Sequence, residues 1–117
     1  MIHPQVATLL NACPFIVEYL DADDWDLPTI IFGDAARLLK SRTMRPADED
    51  ALFDYFNRLA EEGDAGDLET LGTGAIELFN DDKESQSFAR AKLKGRALVM
   101  LEEFRGSWGQ PDYGKPE

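Results

Sequence analysis

A reaction run by this chain would have to use one histidine, one cysteine and a large surplus of carboxylates, because the sequence holds little else of chemical use. His3 stands at the third position. A catalytic triad or an imidazole metal site needs a histidine held by neighbouring structure, and His3 is expected on the surface instead. Cys13 has only His3 to help it ionise, so it is expected as a small buried apolar residue rather than a nucleophile. A single cysteine also rules out an internal disulfide. Glu77 and Asp81, at i and i+4, could share a cation on a helix face, but an exposed acidic face is the simpler expectation. A calcium loop opening at Asp21 fails at Trp25, Asp26 and Phe32, and one opening at Asn80 fails at Ala91. The glycines of 63–67 and 72–74 match no phosphate-binding pattern, since Glu77 stands where a third glycine would be needed. No enzyme activity, cofactor or metal is therefore expected.

Binding is the chemistry that remains. The chain of 117 residues has 23 acidic and 12 basic residues, a net charge of −11. A charge of this sign disfavours nucleic acid and anionic membrane as partners, whose affinity comes from neutralising phosphate. The acids gather in three places. Glu18, Asp21, Asp23, Asp24 and Asp26 surround Trp25, an aromatic anchor in a field that attracts Lys and Arg. Trp25 could equally plug the core from its loop. Asp48, Glu49 and Asp50 open a helix, where negative charge is ordinary. Glu61, Glu62 and Asp64, with Asp67 and Glu69, crowd a turn between helices. The first and third clusters supply the candidate contact residues: Asp21, Asp23, Asp24, Trp25, Asp26, Glu61, Glu62 and Asp64. Arg90, Lys92, Lys94 and Arg96 form a basic stretch. Alternate positions on a helix spread around it, so pairing with acidic helices or plain surface is the expectation there.

The elements that must position these residues read as helices. Val6, Leu9 and Leu10, then Phe15, Ile16, Tyr19 and Leu20, fit two short helices or one kinked at Pro14. Leu27–Arg42 has apolar residues near i, i+3, i+4 spacing, although Ile30-Ile31-Phe32 is β-prone and Gly33 weakens a helix. Pro46–Glu62 is the clearest helix, with Leu52, Phe56 and Leu59 in one stripe and Gly63 as a stop. Ala65–Asn80 reads as another, in which Gly72 and Gly74 would allow a neighbouring helix close. Glu84–Gly106 reads as one last, long helix, and 109–117 as a fraying tail. No stretch alternates with period two. The expected fold is one all-α domain of five to six helices in a compact, antiparallel-leaning bundle. The opening MIHPQVATLL lacks the features of a signal peptide and no apolar run reaches membrane-span length, so a cytoplasmic location is expected.

The pair Leu52–Asp64 (LFDYFNRLAEEGD) and Leu68–Asp81 (LETLGTGAIELFND), preceded by Gly33–Leu39 (GDAARLL), resembles a group of small bacterial all-α proteins. Some of these are known only as domains of unknown function. Others are immunity proteins of polymorphic toxin and contact-dependent inhibition systems. The resemblance spans about residues 28–82 and carries over no functional residues. It implies a protein that binds a cognate toxin domain of basic character and neutralises it stoichiometrically. A structural or regulatory adaptor, possible as a homodimer, is the alternative expectation.

Overall fold

The computed structural model describes residues 2–20 and 25–108, with side chains as far as Glu103. Every element among the described residues is helical. They run α1 (Pro4–Ala12), α2 (Ile16–Tyr19), α3 (Pro28–Ser41), α4 (Pro46–Glu62), α5 (Ala65–Gly74), a 3₁₀ helix (Ile76–Asp81), α6 (Lys83–Lys92) and α7 (Gly95–Trp108). The all-α expectation holds, with more and shorter helices than the sequence pattern suggested. The tail 109–117, expected to fray, lies outside the described residues.

Three helices begin on proline, at Pro4, Pro28 and Pro46. The first helical position needs no N–H donor, and proline's fixed φ suits it. The apolar segment 4–20 breaks at Cys13-Pro14, as proline's missing N–H requires. The β-prone Ile30-Ile31-Phe32 is helical because a helix buries Ile31, Phe32, Ala35, Ala36 and Leu39 on one side. Tertiary burial outweighs the few tenths of a kcal/mol of propensity involved. Gly33, which looked like a weakness, is where α3 crosses α5. A Cβ on Gly33 would stand 3.2 Å from the Gly74 carbonyl oxygen, and one on Gly74 would stand 3.2 Å from both the Phe32 Cβ and the Thr29 carbonyl oxygen. The two glycines let the backbones meet.

Two long helices expected from the sequence are divided. Ala65–Asn80 ends as an α-helix at Gly74 and tightens into the 3₁₀ turn, burying Ile76 and Phe79. Glu84–Gly106 splits at Leu93-Lys94. Gly95 takes φ +54° there, a conformation that costs glycine nothing. The Asn57 side chain of α4 fills the break. Its amide donates to the Lys92 carbonyl at 3.3 Å, and its oxygen accepts from the Lys94 N–H at 2.8 Å. Asn57 thereby satisfies two of the backbone groups that the interruption releases.

The core runs between α3, α4, α5 and α7. Phe32 stacks on Phe56 with ring centroids 6.1 Å apart, and Phe53 packs against Phe79 and, edge-on, Phe88. Burying each large apolar side chain is worth roughly 1.5–3 kcal/mol. An exposed ion pair is worth about 0–1 kcal/mol. Stability therefore rests mainly on the apolar core, and exposed ion pairs add little to it.

Candidate functional site: an acidic groove

The acids divide into those with a cationic partner and those without. The cluster at the start of α4 is fully engaged. Asp48 accepts from the Tyr19 hydroxyl and from Arg45 Nε, each at 2.8 Å. These contacts, with the Tyr19 hydrogen bond the larger cause, hold its carboxyl below the usual carboxylate range. Glu49, only 8 % exposed, lies 3.6 Å from Lys92 and 3.8 Å from Arg42. Asp50 takes Lys92 at 3.1 Å. Much of the basic stretch is spent the same way: Lys92 pairs with α4, and Arg90 with Glu102. From Asp54 to Glu69, by contrast, six acids form no ion pair with any described residue.

The predicted contact residues are distributed unevenly. Asp21, Asp23 and Asp24 lie outside the described residues. Trp25 is half-buried and packs on the core, while Asp26 beside it is exposed. Exposed Leu27 follows at 43 %, and exposed Ile2 at 47 % lies next to His3, whose N–H donates to the Trp25 carbonyl. Asp64 caps α5, accepting from the Asp67 N–H at 2.9 Å while Asp67 returns a bond to the Asp64 N–H at 3.2 Å. Glu61 Oε2 accepts from the Arg96 N–H at 2.9 Å and so holds the start of α7. Glu62 is exposed and unengaged.

One connection was invisible in the sequence. Trp25 holds His3 through its carbonyl, His3 Nδ1 caps α1 by accepting from the Gln5 N–H at 3.1 Å, and Gln5 donates to Asp67 at 3.0 Å and accepts from Thr70 at 2.9 Å. The Trp25 loop and the α4–α5 turn thus sit at two ends of one hydrogen-bonded chain through the start of α1. His3 serves as a helix cap, a role that only the pattern His-Pro before a helical run could have suggested.

A concavity lies at this acidic end, between α5 and α7, and is closed by the last turn of α4. It has a volume of about 920 Å³. Leu68, Val99 and Met100 give it apolar walls, and Glu61, Glu69 and Glu103 stand round it with Arg96. Val99 is 54 % exposed. The α7 residues Arg96, Val99, Met100 and Glu103 follow i, i+3, i+4, i+7 spacing, and Ala65, Leu68 and Glu69 of α5 do the same over one turn. The sequence marked Glu61 but gave no sign that Leu68, exposed Val99 and the edge of the buried core residue Met100 would line a groove. A second, more polar cleft of about 580 Å³ lies between α1 and α4, beside Asn11, Tyr55, Arg58 and Glu62.

The groups considered for catalysis are occupied otherwise. Cys13 is buried with its thiol 3.7 Å from the Ala51 carbonyl, and burial pushes its pKa up to about 11. Asp81 is engaged by Lys40 at 3.1 Å, and Glu77 is on the 3₁₀ helix, where i, i+4 residues no longer align. Among the described residues no three His, Cys, Asp or Glu side chains gather as a metal site, and no helix is long and apolar enough to cross a membrane. Comparison with protein families, with curated proteins and with solved structures returns no match for this chain.

Proposed function

We propose that this chain is a binding protein with no reaction of its own: an immunity protein that neutralises a cognate bacterial toxin domain by direct stoichiometric binding in the cytoplasm. The observation that carries this reading is the run of acids from Asp54 to Glu69 without an ion pair among the described residues. Crowding like charges on one edge opposes folding, and a basic partner relieves it. Such a field also accelerates encounter with a basic protein, by one or more orders of magnitude at low salt. The half-buried Trp25, with acids following and preceding it in sequence, adds an aromatic anchor linked to the same end of the molecule.

The test is a gel-filtration shift with the toxin domain encoded by the neighbouring upstream gene, together with protection of cells that express it. A one-to-one complex and restored growth are expected. Reversing Asp23 and Asp24 to lysine should slow association at low salt. An upstream product with no toxin-like domain, or separate elution of the two proteins, removes the reading.

A further inference from the structure

We infer that the groove between α5 and α7 is a docking site for one basic amphipathic helix of a protein partner. This rests on the binding-protein reading and names the site and the kind of segment it takes. The argument begins with what α7 leaves uncovered. α7 packs on α4 and on the 3₁₀ helix, and only lightly on α5. The face carrying Arg96, Val99, Met100 and Glu103 therefore opens onto the groove, with Leu68 opposite on α5. A groove walled by two helices accepts a third, whose apolar side chains at i, i+3 and i+4 would enter between Leu68, Val99 and Met100. Met100 is unbranched and adjusts to the shape it meets.

Charge selects among the occupants. Glu61, Glu69 and Glu103 round the groove form no ion pair among the described residues. A second copy of this chain would bring a further net charge of −11 to that rim. The tail GQPDYGKPE, which follows α7, offers two acids against one lysine. Neither complements the rim. A helix with an apolar stripe flanked by Lys and Arg complements both the walls and the rim, and Arg96 is placed to meet an acid or a carbonyl at one end of it.

The experiment uses the full chain, labelled with ¹⁵N, and a synthetic amphipathic helix of leucine and lysine about four turns long. Amide shifts should concentrate in Ala65–Glu69 and Arg96–Glu103. Val99→Asp, at an exposed position that leaves the core intact, should weaken binding on the order of tenfold. Glu69→Lys with Glu103→Lys should weaken it and flatten its salt dependence. Equal binding of a lysine peptide without leucine, shifts that map elsewhere, or an affinity that V99D leaves unchanged would each overturn the proposal. So would self-association that shifts the same amides, which assigns the face to a second copy. A large gain in peptide affinity on removing 109–117 assigns it to the tail and overturns the proposal as well. The cognate toxin separates the two levels: full-strength binding to the V99D chain sinks the groove and keeps the immunity reading. Loss of toxin binding in the unmodified chain, with groove binding of the helix intact, sinks only the immunity reading.

Discussion

At the scale of single residues, most groups with reactive potential have a structural duty. Cys13 is the clearest case. Its burial raises the thiol pKa to about 11, so almost no thiolate exists near neutral pH. Ellman's reagent at pH 8 should leave the folded chain unlabelled and titrate one thiol in urea. Rapid stoichiometric labelling without denaturant would contradict the burial. Gly95 is equally specific. Its φ of +54° suits glycine alone, and a Cβ there would meet the Glu61 carboxylate that caps α7. Gly95→Ala should therefore cost about 1–2 kcal/mol in urea unfolding, with an unchanged m-value. Glu61 shows how one residue can be identified correctly for an incomplete reason. The sequence marks it as a member of an acidic turn. The structure gives it a backbone N–H of Arg96 to hold, which no local pattern discloses, because the two are distant in sequence.

At the scale of elements, what was legible depended on whether a signal was local. Pro46 at the start of α4, acids in its first turn, a buried stripe and Gly63 after its end all lie within that helix, and its bounds were readable from them. The division between α6 and α7 was not readable. It depends on Asn57, an α4 residue, supplying hydrogen bonds to a remote break. Gly33 misled for the same reason, since its value lies in the approach of Gly74 and not in its own helix. The start of α6 permits a prediction of sign. Asp82 caps it, accepting from the Ser85 N–H at 2.7 Å and from the Ser85 hydroxyl at 3.1 Å. These bonds, the backbone one foremost, hold its carboxyl below the ordinary value. A depressed folded pKa means a contribution fully present above the unfolded value, about 3.9, and lost as pH falls through the lower folded one. Asp82→Asn keeps a capping oxygen that does not titrate. Its stability relative to the parent should rise as pH drops below 4. A parallel pair of pH curves would show that the cap contributes nothing through its charge.

At the scale of the whole molecule, the charge of −11 separates into two populations. One is neutralised internally: Lys92 joins α6 to Glu49 and Asp50 of α4, and Lys40 joins α3 to Leu78 and Asp81 of the 3₁₀ helix. The other has no cationic partner among the described residues; it includes the acids from Asp54 to Glu69, of which Glu61 and Glu69 stand at the groove. Glu61, Asp64 and Asp67 there have hydrogen-bonding duties, but the side chains of Asp54, Glu62 and Glu69 have none among the described residues. Unpaired charges in a strongly acidic chain repel one another, so Glu62 and Glu69 lower stability slightly without helping the fold. If they serve a basic partner, stability and association must respond to them with opposite signs. The double variant Glu62→Gln, Glu69→Gln should raise the thermal midpoint at low salt, and added salt should shrink the difference as screening takes over. The same variant should bind the cognate domain with an on-rate several-fold slower at low salt, while the off-rate changes little, because rim charges act on encounter. A chain that is stabilised yet associates at the parental rate would assign these acids to solubility alone. A chain that is destabilised would show that the repulsion is already compensated within the fold, which would remove the physical ground for placing the partner at this end.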